Sequence, residues 1–274
     1  MIAASPVPRV AYLWEPFSVL HRPGILGTAF PYWFPYICQE NQDAYIQPIR
    51  DMLAFRYGAG AELRIARSAK DAGRLLRDWW RFAVWRARDA RPLLKDPIAV
   101  FSSEWLADTF DADVVVMIRH PAAFVNSVKR RELHHPFGHF LHQPLLMRDL
   151  LHPYAEEIER FAAAEQPLMD QGILLWTLVH HAIARFQEVR PGWTFLRLED
   201  VARDPVVQFE KLYGALDLTF DADVRRDVLE HSDPSNPVEV LDMASRRRDS
   251  RASVVAWKTQ LSPEEIGSIR QATA

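Results

Sequence analysis

Arg119 and Ser127 have residue types and a spacing that suit phosphate binding. A run of mostly β-branched residues, 114–118, leads directly into Arg119, and Ser127 follows eight residues later. A guanidinium can make a bidentate contact with a phosphate, and a serine hydroxyl can donate one further hydrogen bond. Each charge-assisted bond of this kind contributes about 1.5–3 kcal/mol. The residues alone also fit an arginine that ends a strand and pairs with a nearby carboxylate.

The elements around this pair indicate how it is positioned. Residues 114–118 show no polar alternation, which is typical of a strand buried on both faces in a parallel sheet. His120 and Pro121 follow, and proline suits the first position of a helix, so we expect a helix over residues 121–131. A strand that leads directly into a helix leaves a crevice at its carboxyl end, where open α/β sheets bind ligands.

The remaining sequence predicts strands alternating with helices, and therefore an α/β fold with a central, mostly parallel sheet flanked by helices. Residues 19–38, rich in proline, glycine and aromatic residues, are expected to form a long loop of the kind that is often functional. Near the C-terminal end, Ser262 and Glu265 form a capping-box pattern. The further strands are expected over residues 9–14, 92–95 and 193–198, and the further helices over residues 42–56, 69–89, 105–110, 167–188, 199–202, 204–216, 221–231 and 263–272.

Composition and charge exclude several classes of protein. The 274 residues include 33 Lys+Arg and 36 Asp+Glu, a net charge of −3, which gives no signal for a nucleic-acid partner. At 49% hydrophobic and 25% charged residues, the chain is globular rather than disordered. Cys38 is the one cysteine, which excludes an internal disulfide and a cysteine-based zinc site. No segment reaches the ~18 apolar residues of a membrane span and no secretory leader is evident, so we expect no membrane association and a cytoplasmic location.

Residues 114–127 resemble the segment that binds the 3′-phosphate in sulfotransferases, the enzymes that use 3′-phosphoadenosine 5′-phosphosulfate (PAPS). In that family a buried strand ends in Arg, often as Arg-x-Pro, and Ser follows eight residues on, as in Arg119-His120-Pro121 and Ser127. Other segments resemble further parts of the family in the same order, over most of the chain. They are Leu94-Lys95-Asp96-Pro97 with Trp105-Leu106 and Phe110, residues 198–205, Arg248-Asp249-Ser250, and Trp257-Lys258 with Leu261-Ser262. The resemblance implies a single domain over residues 1–274 with the α/β fold of P-loop nucleoside triphosphate hydrolases.

The resemblance implies roles for five residues. Arg119 and Ser127 match the pair that binds the 3′-phosphate of PAPS, and Arg248 matches a basic segment that closes over the PAPS phosphates. Glu15, which precedes a proline, matches the Glu-Pro element of carbohydrate-type members, where the carboxylate is a candidate base for the acceptor hydroxyl. Lys95 matches a lysine that stabilises charge on the leaving phosphate.

Each of these roles has a plainer alternative. Glu15 also fits a strand-end carboxylate held by a neighbouring arginine such as Arg22. Lys95 also fits a solvated lysine ahead of a turn, and the basic run that contains Arg248 also fits a solvated loop. Glu199 is expected to cap the helix that follows it rather than to catalyse.

The sequence lacks the loop that holds the 5′-phosphosulfate in the family. Sulfotransferases open with a strand, a Pro-x-Ser-Gly-Thr-Thr-type loop and a helix whose N terminus binds that group. Neither residues 24–28 nor residues 58–60 provide such a loop, and no Walker-type loop occurs. Residues 1–6 and 9–12 resemble the end of the family's first helix and its second strand. The resemblance therefore implies an N-terminally truncated domain without its first strand and phosphate loop.

Two further clusters invite other interpretations. A metal site among the four histidines of residues 134–142 would need ligands on one face. The alternative interpretation is that these histidines contact the hydroxyl acceptor. In the helix expected over residues 69–89, tryptophans alternate with arginines. That pattern fits a nucleic-acid or anionic-glycan surface, but more often a helix that buries its tryptophans and solvates its arginines. The histidines are His134, His135, His139 and His142, and the tryptophans are Trp79, Trp80 and Trp85.

The sequence as a whole predicts a PAPS-dependent sulfotransferase with no metal, which moves a sulfuryl group to a small-molecule or carbohydrate-like hydroxyl. One alternative is a catalytically inactive remnant that binds a nucleotide or a partner. Another is a different phosphate-handling α/β enzyme, such as a kinase, which the missing Walker loop disfavours. The oligomeric state is left open.

Overall fold

The computed structural model describes residues 10–20, 22–238 and 247–273. The residues 1–6, Arg9 and Arg246 that enter the sequence predictions lie outside these ranges. The strands are β1 (Val10–Trp14), β2 (Arg91–Lys95), β3 (Val115–Ile118) and β4 (Thr194–Arg197). The helices are α1 (Ile46–Leu53), α2 (Ala59–Ile65), α3 (Ala69–Ala87), α4 (Ser103–Phe110), α5 (Pro121–Arg130), α6 (Gly138–Leu141), α7 (Pro144–Leu146), α8 (Ala155–Ala163), α9 (Leu168–Val189), α10 (Leu198–Arg203), α11 (Pro205–Ala215), α12 (Ala222–Ser232), α13 (Ser250–Val255), α14 (Trp257–Gln260) and α15 (Pro263–Ala272).

The four strands form two parallel pairs. β1 pairs with β2, from Val10 opposite Arg91 to Trp14 opposite Lys95. β3 pairs with β4 in the same sense. Parallel pairing of this kind requires a long crossover, which the intervening helices provide. The prediction of an α/β chain with parallel strands is confirmed, but the described strands form two two-stranded sheets rather than one central sheet.

The expectation that β3 is buried on both faces is wrong. Its residues are half-buried, and Met117 is 47% exposed. Among the described strands only β4 flanks β3, so less of its surface is covered than in the middle of a wide sheet. The unbroken apolar run therefore predicted the strand correctly, but the prediction that the strand is fully buried was wrong.

The chain divides into two compact units. The N-terminal unit comprises residues 2–112 and 139–149, and it contains β1, β2 and helices α1 to α4. The C-terminal unit comprises residues 113–138 and 150–274, and it contains β3, β4, α5 and helices α8 to α15. No helix of the described residues is long and apolar enough to span a membrane.

The N-terminal unit is built around β1 and the loop that follows it. Leu13 of β1 is 2% exposed, and the ring of Phe17 stacks on that of Phe30 at 4.6 Å between centroids. The described residues between β1 and Gln42 contain no helix or strand, as predicted, but the loop supplies part of the core. Its backbone is tied to residues 139–149, since the Tyr36 N–H donates to Gln143 Oε1 at 2.8 Å.

The C-terminal unit is organised by the close packing of α9 on α5. A Cβ atom added at Gly172 of α9 would lie 3.3 Å from the Cα of Val125, so the absence of a side chain there permits the approach. α15 also packs on α5, through Ile269. The predicted capping box is confirmed, because Ser262 and Glu265 exchange both expected hydrogen bonds at the start of α15.

Candidate functional site

The turn between β3 and α5 holds Arg119 in place through its backbone. The Arg119 carbonyl oxygen accepts a hydrogen bond from Trp176 Nε1 of α9 at 3.0 Å. His120 is the N-cap of α5, with its Nδ1 accepting from the Ala122 N–H at 3.2 Å. The His120 N–H donates to Glu199 Oε1 at 2.9 Å, which ties the end of β3 to the start of α10. The predicted strand, turn and helix are therefore confirmed, with fixed geometry at the strand's carboxyl end.

Glu199 serves this turn and not its own helix. The N-cap of α10 is Arg197, and it makes no side-chain capping bond. The expectation that Glu199 caps the following helix is therefore wrong. Its carboxylate instead reaches the neighbouring strand, because β3 and β4 are paired in parallel and end at the same edge.

The Arg119 side chain lies among like charges. Burial lowers its pKa, Glu199 raises it, and Arg131 and Arg248 lower it further by repulsion. Its Nε is buried without a hydrogen-bond partner, and none of the three guanidiniums makes an ion pair with a carboxylate of the described residues. A half-buried guanidinium beside two others creates a positive potential that suits an anion.

The three residues assigned to the phosphates of PAPS all lie in the C-terminal unit. Arg248 is within electrostatic reach of Arg119, and its N–H donates to the carbonyl oxygen of His231 at 3.1 Å. Ser127 lies in the second turn of α5, half-buried, and its hydroxyl makes no hydrogen bond to another described residue. Arg131 was not among the predicted residues. The basic run that ends α5 was the one sequence signal for it.

A C-terminal segment covers the start of α5. The Trp257 ring stacks on that of His120, with 4.6 Å between centroids and 14° between planes. Lys258 Nζ lies 5.8 Å from the centroid of the same Trp257 ring. Burial lowers the pKa of His120, and the positive charges of Arg197 and Lys258 lower it further. His120 therefore favours the neutral form, which its Nδ1 needs in order to accept from the Ala122 N–H.

The residues assigned to chemistry, Glu15 and Lys95, lie together in the N-terminal unit. They form an ion pair in which Lys95 Nζ donates to Glu15 Oε1. The parallel register explains the pairing, because Trp14 lies opposite Lys95 and the Glu15 N–H donates to the Lys95 carbonyl oxygen at 2.9 Å. Glu15 has a φ of 44°, a left-handed conformation that turns the chain sharply at the strand end.

The alternative partner for Glu15, Arg22, is engaged elsewhere. Its guanidinium contacts Glu62 Oε1 at 2.9 Å and Asp78 Oδ2 at 2.9 Å. Both carboxylates are buried, at 3% and 0% exposure respectively. Arg22 therefore neutralises buried charge in the core, and Glu15 is left to Lys95.

Asp96 supports the Glu15 turn and was not predicted to do so. Its Oδ2 accepts from the Phe17 N–H at 2.7 Å, and its Oδ1 accepts from the Ile98 N–H at 3.0 Å. Burial raises the pKa of Asp96 to about 6, and the nearby negative charge of Glu15 adds to the increase. Asp96 thus clamps the residues after Glu15 to the end of β2.

A pocket of about 190 Å³ opens beside Glu15. Its walls come from the end of β1 and the loop that follows. Two of its large apolar side chains, Trp14 and Leu20, are 55% and 78% exposed. Exposed apolar side chains next to a cavity are a common feature of ligand-binding clefts.

The histidines of residues 134–142 have structural partners. His139 Nδ1 accepts from the Trp33 N–H at 3.1 Å, and the His135 N–H donates to Gln171 Oε1 at 3.0 Å. His142 lines a second pocket of about 170 Å³ together with Tyr32 and other residues. Across the described ranges no group of three or more His, Cys, Asp or Glu residues is placed to hold a metal ion.

The tryptophans of α3 divide between its faces. Trp85 is 7% exposed, as predicted, but Trp79 and Trp80 are 47% and 65% exposed. Because Phe82 and Trp85 set the core-facing side of the helix, Trp79 and Trp80 fall on other sides at 100° per residue. The prediction of buried tryptophans is wrong for these two.

The chain is similar to the solved structure of the sulfotransferase domain from the curacin biosynthetic pathway. The two are 13% identical, with a TM-score of 0.43, and the similarity covers 81% of this chain and 77% of that domain. No protein-family model matches the sequence, and no curated protein matches it. At this identity and score, the similarity assigns no activity to the chain.

Proposed function

We propose that this chain is a sulfotransferase that moves the sulfuryl group of PAPS to a hydroxyl acceptor, with adenosine 3′,5′-bisphosphate as the leaving group. The observation that carries the proposal is the Arg119 guanidinium, whose buried Nε has no partner and whose neighbours include Arg131 and Arg248. A buried donor without a partner is costly unless a ligand completes it. A phosphate fits because its oxygens accept several charge-assisted bonds at once.

The C-terminal unit supplies the binding part of this function. Arg119 and Arg248 hold the 3′-phosphate, and the Ser127 hydroxyl donates a further bond. The carbonyl of Arg119 is held by Trp176, so the guanidinium starts from a fixed backbone position. PAPS, when bound, supplies the sulfuryl group and no metal is required by these residues.

The N-terminal unit supplies the proton chemistry. Glu15 takes the proton that the acceptor hydroxyl gives up. Lys95 supplies positive charge that stabilises the negative charge on the leaving phosphate. The ion pair between them keeps a proton acceptor and a cation at the same strand end. Asp96 fixes that strand end through its two backbone hydrogen bonds.

Calorimetry with adenosine 3′,5′-bisphosphate tests the binding part. We expect the wild-type chain to bind it and Arg119→Ala to bind about 100-fold more weakly, because two charge-assisted hydrogen bonds are lost. Arg160→Ala is the matched control, since Arg160 is an exposed arginine of the same unit that pairs with Glu157 at 3.3 Å. Equal binding by wild type and Arg119→Ala would contradict the assignment. Adenosine 5′-monophosphate, which has no 3′-phosphate, should not distinguish the two proteins.

A second candidate function is nucleotide binding without turnover. It is favoured by the cluster of Arg119, Arg131 and Arg248, which suits a phosphate whether or not turnover follows. A turnover assay with radiolabelled PAPS and a panel of alcohols separates the two candidates. Transfer of label to an alcohol supports the sulfotransferase, whereas tight binding of adenosine 3′,5′-bisphosphate with no transfer supports the binding protein.

A further inference from the structure

We propose that the pocket beside Glu15 binds an apolar alcohol, in which a single hydroxyl is attached to an aliphatic or aromatic group. This inference rests on the proposed function, because it names the acceptor class of the same site. It differs from the carbohydrate-like acceptor that the Glu-Pro element predicts. The walls of the pocket carry the argument.

The walls are predominantly apolar. Trp14, Pro16, Leu20, Ile25 and Leu26 line the pocket around Glu15. Trp14 directly precedes Glu15 in the chain, and Leu20 follows it by five residues, so both exposed side chains border the carboxylate's own turn. A ligand that covers them removes apolar surface from water, which favours a ligand with an apolar body.

Among the described residues, the other polar side chains that line the pocket are Arg22 and Ser18, and each has a partner within the chain. Arg22 is paired with two buried carboxylates, Glu62 and Asp78. The Ser18 hydroxyl oxygen accepts from the Leu20 N–H at 3.1 Å. Glu15 uses Oε1 for Lys95 and makes no hydrogen bond through Oε2 to another described residue, so Oε2 is the acceptor best placed to meet a ligand hydroxyl.

This inventory discriminates between acceptor classes. An alcohol with one hydroxyl places that group on Glu15 and its apolar body on Trp14 and Leu20. A sugar brings several hydroxyls, and each one buried without a partner lowers affinity by about 5- to 150-fold. The pocket thus selects for one hydroxyl on an apolar body.

The pocket is also held in shape without a ligand. The Gly24 N–H donates to Glu62 Oε2 at 2.9 Å, which anchors the far end of the loop. A Cβ atom at Gly24 would lie 2.5 Å from Tyr57 Cζ, so the loop packs directly on that ring. At the near end, the Asp96 carboxylate holds the Phe17 N–H. A preformed pocket binds with less loss of conformational entropy.

Saturation-transfer NMR titrations with 2-phenylethanol and methyl β-glucopyranoside test the inference on the full chain. We expect 2-phenylethanol to bind at least tenfold more tightly than the glucoside. Trp14→Ala and Leu20→Ala should each weaken 2-phenylethanol binding by about tenfold, since each removes apolar contact area. Trp80→Ala and Leu76→Ala are matched controls, because these residues of α3 are 65% and 63% exposed and lie outside the pocket. Glucoside binding as tight as that of 2-phenylethanol, or unchanged binding in Trp14→Ala and Leu20→Ala, would overturn the inference.

A third variant tests the hydroxyl contact without changing the walls. Glu15→Gln should weaken 2-phenylethanol binding severalfold and leave the binding of ethylbenzene, which has no hydroxyl, unchanged. Equal effects on both probes would count against a hydroxyl at Glu15. Adenosine 3′,5′-bisphosphate binding is measured on the same variants. If the wild type binds 2-phenylethanol but not adenosine 3′,5′-bisphosphate, the proposed function alone is contradicted. If it binds adenosine 3′,5′-bisphosphate but not 2-phenylethanol, this inference alone is contradicted.

Discussion

The two candidate sites of this chain treat charge in opposite ways. In the N-terminal unit, Glu15 and Lys95 neutralise each other across the end of a parallel strand pair. In the C-terminal unit, Arg119 lies near Arg131 and Arg248, and none of the three has a carboxylate partner among the described residues. A pair of opposite charges needs no ligand to balance it. Like charges held close together lower the stability of the ligand-free protein, and a bound anion reduces their repulsion. The difference agrees with the proposal of proton chemistry in one unit and anion binding in the other.

The largest effect expected from this division is on turnover. Glu15→Gln should lower kcat by about 10²- to 10⁴-fold, because a positioned proton acceptor contributes that much. It should leave the affinity for adenosine 3′,5′-bisphosphate unchanged, since that ligand is assigned to the other unit. Radiolabel transfer and calorimetry measure the two quantities. Glu40→Gln is the control, because Glu40 is a solvent-exposed carboxylate of the same unit that pairs with Arg148. Full turnover in Glu15→Gln would remove Glu15 from the chemistry.

The next largest effect is on the scaffold of the anion site. Gly172→Ala should lower the free energy of unfolding by about 1–3 kcal/mol, because its methyl group meets the α5 backbone at 3.3 Å. It should also weaken adenosine 3′,5′-bisphosphate binding, since α9 carries Trp176, which holds the Arg119 carbonyl. Urea unfolding and calorimetry test the two effects. Gly73→Ala in α3, where an added Cβ meets nothing within 4 Å, is the matched control.

An effect of similar size concerns the Glu15 turn and depends on pH. Burial raises the pKa of Asp96 to about 6, above its ordinary value of 3.8. Between these two values the folded chain binds a proton that the unfolded chain does not, so stability falls as pH rises through this window. The fall should amount to about 3 kcal/mol and level off above pH 6. In Asp96→Asn this part of the slope should be absent from urea unfolding curves between pH 4 and pH 7. An identical slope in both proteins would show that Asp96 titrates normally.

The smallest expected effect is on the stability of the ligand-free protein, when a cation is removed from the arginine cluster or from the Glu15–Lys95 pair. Arg119→Met should raise the free energy of unfolding by about 1 kcal/mol, because burial disfavours the Arg119 charge and Arg131 and Arg248 repel it. Lys95→Met should not, because it leaves Glu15 without its partner. Urea unfolding without ligand, at low and at high salt, measures both. A stabilising Lys95→Met together with a destabilising Arg119→Met would reverse the comparison.

The sequence predicted the features that depend on neighbouring residues. The β3–α5 turn follows from an apolar run, an arginine and a proline in sequence, and the capping box of Ser262 and Glu265 spans four residues. The pairing of Glu15 with Lys95 joins residues 80 positions apart and depends on the strand register. The resemblance assigned both residues to one site, but their contact could be known only from the structure.

The errors of prediction have a common physical origin in tertiary packing. Arg22 entered only as an alternative partner for Glu15, and the buried carboxylates of Glu62 and Asp78 attract it more strongly because they are shielded from water. Trp79 and Trp80 are apolar enough for a core that Phe82 and Trp85 already fill on another face of the helix. Composition and periodicity describe one element at a time and do not show which residues of other elements contact it in the folded chain.

The N-terminal unit is assembled from two stretches of chain, with consequences for its biosynthesis and for protein engineering. In the loop after β1, the Tyr36 N–H donates to Gln143, which lies 107 positions later in the chain. Residues 139–149, which include Gln143, follow a stretch that belongs to the other unit. On the ribosome, the loop after β1 therefore emerges long before the segment that ties it down. A fragment that ends after residue 112 should leave that loop untied, so a single cut does not separate the two units.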